Sequence, residues 1–592
     1  MGDLLLHPLL PFLVGAVLVW FVSRRVAGVV MVAVPVVALA QLWLLDVGTS
    51  VTTTYLDFAV EPMRADRLAF AFAWVFAIAA LISGIYALRT LRGREATAAL
   101  AYAGAAMGVV FAGDLLTLFV FWEIKAVAST FVILSRRGGN AGRAGMRYLF
   151  VHLVGGKLLI AGAVWHLADT GSLAFDAVGV TPATSLILVA FLISAAAPPL
   201  HAWLADAYPE ASIAGTVFLS AYTTKAAVYA LARGFPGVEL LVWLGVIMAL
   251  YGVVYAVLEN DVRRLLGYHI ISQVGYMVAA VGIGTEMAIN GATAHAFAHI
   301  LYKGLLLMGA GAAIYATGRA KMTQLGGIAN RQRAVLFLYM IGAVSISSVP
   351  LFSGFVSKEL AVHAASLDER ALVVVLLKLA SVGTFLHTGL KLPYGTWFGD
   401  EGAGPRTNEG HRIQVGPVAP SMYVAMAISA VLNFAIGVYP ALLFDLLPFP
   451  VDYDAYTLSK VVEKSQILLF TAFGFWLLLS KLGAEPTISL DTDWAYRRLP
   501  RIVADRWRDR TPPSAPLAPE DTEAAADAPV ATGTRPASHA VGTALLKART
   551  SVLERLGPAP SETKPPVVAT WVLGAVILAA SLLLLGLSLA AR

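Results

Sequence analysis

Acid, amine and imidazole side chains stand in this chain where water is scarce. Glu123 lies in the apolar run from Leu115 to Leu134, and Lys157 and Lys225 lie in two later runs. His295, His299 and Lys303 share a further run, Lys358 follows in the next, and Lys378, His387 and Lys391 fall in the one after that. A charge at the centre of a bilayer-spanning helix costs at least ~2.5–3.5 kcal/mol, so an ionisable group there is retained for a function. The spacing of four residues puts His295, His299 and Lys303 on one helical face, drifting by about 40° per step. Such a stripe suits a proton relay, because burial and neighbouring charges adjust these groups until each loads and releases a proton near neutral pH. Lys358 and Lys391 lie close enough to helix ends that snorkelling to the interface is the plainer alternative. Lys125, two residues beyond Glu123, belongs to a different face and is expected at the lipid edge or in a structural role.

The elements that must hold these groups are membrane spans. The sequence is 58% hydrophobic and only 14% charged, with a mean hydropathy of +0.74, which is the composition of a polytopic membrane protein. There is no cysteine, so thiolate metal sites and cysteine-held iron–sulfur clusters are excluded and no cofactor is expected. The net charge of +6 sits in short loops and one polar segment, so it marks membrane topology and no nucleic-acid partner. A spanning helix needs about 20 mostly apolar residues. About sixteen segments qualify, near residues 4–23, 28–46, 67–88, 97–112, 115–135, 144–168, 182–203, 213–233, 237–258, 264–283, 288–316, 335–363, 370–397, 420–441, 462–481 and 567–590.

Lys and Arg gather on alternate loops: Arg24 and Arg25; Arg89, Arg92 and Arg94; Arg136, Arg137, Arg143 and Arg147; Arg263 and Arg264; Arg319, Lys321, Arg331 and Arg333. The positive-inside rule makes that side cytoplasmic and both termini external, with Arg64 and Arg67 as exceptions. From Asp491 to Arg510, Trp494, Tyr496, Leu499, Ile502 and Trp507 alternate with arginines, as in a helix lying on the membrane surface. Residues 511–539 have the composition of a disordered linker. Helix breakers add a second signal, Pro198 and Pro199 in the seventh span and Pro350 with Gly354 in the twelfth. Paired broken helices point to inverted repeats. Lys225 and Lys378 follow these prolines by 27 and 28 residues, as corresponding positions would.

At these residues the chain resembles the antiporter-like subunits shared by Mrp-type cation/proton antiporters, respiratory complex I and membrane-bound hydrogenases, most of all the Mrp D-type subunit. The likeness runs from about Thr97 to Pro440 through LLTLFVFWE at Leu115–Glu123, PLHAWLADAYPEAS at Pro199–Ser212, DVRRLLGYHIISQVGYM at Asp261–Met277, HAFAHILYK at His295–Lys303 and SGFVSKE at Ser353–Glu359. It implies an all-α fold with two inverted five-helix repeats, each with a broken helix. The repeats would occupy 97–258 and 259–400, flanked by helices in 1–96 and 401–483, a cytoplasmic segment 484–566 and a final helix 567–592. It further implies that Glu123 is the fifth-helix glutamate, Lys225 the eighth-helix lysine, His299 the conducting residue of a broken eleventh helix, and Lys358 the residue from which protons exit or pass on.

In the family the glutamate pairs with a seventh-helix lysine, and that position here is Ser194; Lys157 is the candidate replacement. Gln273 stands where complex I subunits often carry histidine. The expected activity is movement of H+, with Na+ as the expected partner ion, in a bacterial inner membrane and within a complex of other antiporter subunits. The alternatives are proton pumping driven by redox chemistry in partner chains, and a partly inactive scaffold suggested by Ser194.

Overall fold

The computed structural model describes residues 6–399 apart from 56, 57, 92 and 137, then 405, 412–483, 491, 492 and 494. One compact unit spans residues 1–497; the expected linker, the final span 567–590 and most of the surface helix from Asp491 lie outside the described residues. The helices follow the apolar runs. The first group is α1 (Leu9–Phe21), α2 (Arg24–Leu44), α3 (Arg67–Ala87), α4 (Gly93–Phe111), α5 (Leu115–Leu134), α6 (Ala141–Thr170), α7 (Pro182–Ala195), α8 (Ala202–Ala207), α9 (Ile213–Gly234) and α10 (Glu239–Leu258). Then come α11 (Val262–Ile283), α12 (Glu286–Thr317), α13 (Arg333–Ile346), α14 (Ser353–Leu367), α15 (Ala371–Thr384), α16 (Pro420–Val438) and α17 (Leu458–Leu477).

Local chemistry sets many of the boundaries. Asp114, Ser212, Asp261 and Thr285 each accept a backbone N–H in the first turn of α5, α9, α11 and α12, which satisfies donors that lipid cannot. Among the described residues, nine helices are long and apolar enough to cross a bilayer. The sequence-based count of about sixteen is larger because it includes α7, α13 and their continuations, each shortened by a break, and helices such as α9, which carries Lys225 and several threonines but is almost wholly enclosed by protein.

Two features depart from expectation. Ser50–Tyr55 (β1) and Phe58–Arg64 (β2) form an antiparallel hairpin, with Ser50 opposite Arg64 and Thr53 opposite Val60. The run Val51-Thr52-Thr53-Thr54 suits a pleated strand. Arg64, an exception to the loop-charge rule, is neutralised there by Glu61 at 2.5 Å and Asp176 at 2.7 Å. The eleventh span, expected to be broken, is the continuous 32-residue α12. It contains no proline, and its glycines stay within helical backbone.

The breaks are instead those of the seventh and twelfth spans, between α7 and α8 and between α13 and α14. Four non-glycine residues have left-handed backbone among the described residues, and three of them lie at these breaks: Ala196 (φ 60°), Ser348 (φ 59°) and Leu351 (φ 75°). Such conformations are strained for residues with a Cβ and persist only where the surroundings enforce them. The thirteenth span also changes character, since α15 continues as wide π-helical turns over Phe385–Lys391 and Tyr394–Phe398.

Helices α10 and α11 meet backbone to backbone, with no room for side chains at Gly245, Gly252 and Gly275. Close approach through small residues is the usual means of helix association in lipid, where no hydrophobic force acts between helices. A Cβ at Gly275 would lie 2.5 Å from the Ala249 amide nitrogen. Gly275→Val should therefore part the pair and destabilise the protein by about 1–3 kcal/mol, seen as a lower thermal midpoint of the detergent-solubilised protein; an unchanged midpoint would contradict the packing.

Candidate functional site

The ionisable residues turn inward. Glu123 on α5 is 4% exposed, Lys225 on α9 is fully buried, and His295, His299 and Lys303 on α12 are likewise enclosed. Glu123 fits because residue 156 of α6 is glycine; a Cβ there would overlap the carboxylate oxygen. Lys157 Nζ stands 3.9 Å from Glu123 Oε1, with its side chain 43% exposed on the outward side. The candidate substitute for the missing lysine thus reaches the glutamate from the rim. Ser194, near the end of α7, is buried and its hydroxyl has no hydrogen-bond partner among the described residues. Lys125 is fully buried with its Nζ 3.4 Å from the centre of the Trp122 ring, which overturns the lipid-edge reading. The side chain curls over its own helix, so two residues of spacing did not carry it outward.

From Glu123 polar groups run towards α9. The His152 ring stacks on Tyr148 at 4.0 Å, and the Tyr148 hydroxyl lies 3.0 Å from Ser129 Oγ and 3.1 Å from Thr223 Oγ1. Thr223 Oγ1 is 2.6 Å from the Tyr102 hydroxyl. Two residues further, Lys225 Nζ donates to the Ser220 carbonyl at 2.7 Å. His299 lies within electrostatic range of Lys225, Lys303, His295 and Lys358, and neither of its ring nitrogens has a hydrogen-bond partner among the described residues. His295 and His299 are 6.2 Å apart between ring centres, and the Tyr302 hydroxyl reaches His295 Nδ1 at 3.4 Å.

The second half of the cluster is built around the breaks. Lys303 Nζ donates to His269 Nδ1 of α11 at 3.2 Å, Thr388 Oγ1 approaches the same nitrogen at 3.1 Å, and the His387 ring meets that of His269 edge-on at 4.6 Å. His387 and Thr388 lie on the π-helical turns, which re-aim side chains relative to a regular helix and often mark functional positions. Lys358 is buried and donates to the carbonyl of Ile346 at 2.9 Å, a carbonyl left at the end of α13 by the interruption at Pro350. Next to it, Glu359 pairs with the buried Lys464 of α17 at 2.5 Å, and Lys464 also donates to Ser381 at 3.2 Å. Gln273 donates to Thr384 Oγ1 at 3.3 Å.

Two expected members stand differently. Lys378 pairs with Glu463, and both side chains are substantially exposed, so it sits at the edge of this cluster and is not the buried counterpart of Lys225. Lys391 is buried and donates to the Val257 carbonyl; neither it nor Lys358 snorkels. Reading the sequence missed His152, His269, Glu359 and Lys464. The two histidines were visible as ionisable residues in apolar spans, whereas pairing with Lys464 depends on a helix about a hundred residues away. Among the described residues no group of three or more His, Cys, Asp or Glu is arranged to hold a metal ion.

One contact joins the spans to a residue beyond them. His201 Nε2, next to the first break, faces the Asp491 carboxylate at 3.1 and 3.2 Å, and the Tyr251 and Tyr268 hydroxyls donate to it at 2.6 Å each.

This architecture has known counterparts. Residues 112–386 match the model of the NADH:quinone oxidoreductase/Mrp antiporter transmembrane family. The chain is 30% identical over 498 residues to an uncharacterised Mycobacterium tuberculosis protein, covering 76% of this chain and 75% of that one. It is 29% identical over 474 residues to the D-type subunit of the Na(+)/H(+) antiporter of Alkalihalophilus pseudofirmus, covering 74% of this chain and 94% of the relative. A chain in the structure of the Mrp complex from Dietzia sp. superposes with a TM-score of 0.67 at 24% identity, over 78% of this chain and 98% of that one. The chain belongs to the family of multi-pass antiporter-like membrane subunits that Mrp antiporters share with NADH:quinone oxidoreductase. Within that family it resembles the Mrp D-type subunit.

Burial alone would raise the Asp491 carboxyl, but the hydrogen bond and charge of His201 and the two tyrosine hydroxyls outweigh it and hold the group below the ordinary carboxylate range. A carboxyl lowered on docking stabilises the docked state above its undocked value, and that stabilisation fades as pH falls through the docked one. Hydrogen–deuterium exchange of the peptide containing Asp491 should stay slow from neutral pH down to about pH 5 and speed up throughout in Asp491→Ala. Equal exchange in both proteins would refute this docking.

Proposed function

We propose that the chain is the D-like, proton-translocating subunit of a multisubunit Na+/H+ antiporter in a bacterial inner membrane. The observation that carries this reading is the buried succession Glu123, Lys225, His299 and Lys358, in which each group after the first lies within electrostatic range of another. Several basic groups crowded into a poorly hydrated interior cannot all be charged together, so a proton added to one raises the cost of protonating the next. That coupling passes protons along when hydration joins the groups. His295, Lys303 and Lys391 are supporting members, and Lys378 stands at the outer margin with Glu463.

The breaks at Pro198, Pro199 and Pro350 supply free backbone groups and local adaptability where regular helix would be rigid. The partner ion is assigned to Na+ because the D-type relative from Alkalihalophilus pseudofirmus carries that activity in its name. The same buried line would serve a redox-driven pump, which the family's link to NADH:quinone oxidoreductase keeps as the second reading.

The test uses everted vesicles containing the whole complex, with a fluorescent pH probe and added NaCl. Glu123→Gln and Lys225→Ala should each lower Na+-dependent dequenching by at least about tenfold, with the complex still assembled. Wild-type exchange in both would overturn the assignment; proton movement that ignores Na+ but follows an electron donor would transfer it to the redox-driven class.

A further inference from the structure

We infer that Lys125 is the proton-carrying amine that answers to Glu123 in this chain, taking on α5 the place left empty on α7 by Ser194; the inference rests on the reading given under Proposed function. Three independent observations meet at this residue. Its side chain is wholly buried, and its Nζ has no hydrogen-bond partner among the described residues, only the face of Trp122 at 3.4 Å. An ammonium in a dry interior with no oxygen to hold it is costly and is retained for a purpose. A cation over an indole face is also stabilised without being fixed in place.

The surroundings link Lys125 to both sides of the gap. Glu123 lies within its electrostatic range on one side and His152 on the other. The Trp122 ring packs on Phe191 of α7 at 5.1 Å, one turn before Ser194. The His152 ring meets Trp203 edge-on at 4.5 Å, and the Trp203 indole N–H donates to the Ile193 carbonyl at 2.9 Å. Lys125 thus occupies the space between α5, α6 and the end of α7. Lys157, the other amine beside Glu123, is 43% exposed and 3.9 Å from the carboxylate, a rim position suited to holding Glu123 and not to passing protons inward.

The step is a proton transfer. With Glu123 ionised, Lys125 is held as an ammonium. When a proton reaches Glu123 and forms its O–H bond, the ammonium loses its counter-charge. Neither Lys125 Nζ nor His152 Nε2 has a hydrogen-bond partner among the described residues, so the transfer runs through a bridging water: an N–H bond breaks at Lys125, the water passes the proton on, and an N–H bond forms at His152 Nε2. The amine is left neutral and the imidazole carries the charge. From there Tyr148 and Thr223 lead towards Lys225.

The test uses the assembled complex in everted vesicles with NaCl and a pH probe. Lys125→Met should lower exchange by at least about tenfold. Moving the amine back, as Lys125→Met with Ser194→Lys, should restore a measurable part of it. Wild-type exchange in Lys125→Met while Glu123→Gln is inactive would overturn the inference and leave the antiporter reading intact; wild-type exchange in Glu123→Gln and Lys225→Ala would remove that reading itself. Loss in Lys125→Met without recovery in the double variant would mark Lys125 as a packing residue and also overturn it. If Lys125→Met is absent from the complex, Lys125→His decides. With Glu123 and His152 as the titratable groups within its electrostatic range, its pH profile should move to the acid side by about one unit or more, and an unmoved profile would count against Lys125.

Discussion

A positive charge that cannot reach water has to find an oxygen, share its proton or give it up, and the interior of this protein is arranged around that constraint. Lys225 reaches a carbonyl of its own helix, Lys358 the carbonyl at the end of α13, and Lys391 that of Val257. Lys303 reaches an imidazole, Lys464 a carboxylate, and Lys125 an aromatic face. Apart from that carboxylate, each partner solvates the charge less fully than bulk water would. Buried polar networks of this kind are sensitive to any change in charge, because the low dielectric that makes a bond strong also makes an unpaired group expensive.

The helix breaks follow from the same constraint. Interrupting α7 and α13 frees carbonyl and amide groups at membrane depth, tolerable only where protein or water replaces lipid. Three left-handed residues, Ala196, Ser348 and Leu351, store local strain at these two places. At the second, Lys358 takes up a freed carbonyl directly. At the first, the Asp491 carboxylate meets His201, Tyr251 and Tyr268, so a residue remote in sequence packs beside the same break.

The ionisable positions were legible in the sequence because burial of charge is rare and their spacing on α12 is regular. Both interruptions were legible from proline. What eluded it depended on direction and distance. The spacing of Lys125 from Glu123 leaves a lipid-edge and a structural role both open, because it does not show that a long flexible side chain folds back along its own helix over Trp122. The pairing of Glu359 with Lys464, and of Lys378 with Glu463, joins helices remote in sequence. The hairpin Ser50–Arg64 is signalled only by a short threonine run that favours a strand, which apolar periodicity between α2 and α3 does not register. The π-helical turns after Thr384 have no periodicity that distinguishes them from ordinary helix. A broken eleventh helix was an expectation of resemblance and not of composition, since 286–317 lacks proline.

The central claim is that these groups act as one hydrated line through the membrane. A cryo-EM map of the assembled complex that resolves water molecules tests it most directly. Ordered waters should bridge the Glu123 and His152 region to Lys225, then Lys225 to His299, and His299 to Lys358. A dry apolar gap between Lys225 and His299, or side chains turned to lipid at either place, would contradict the account.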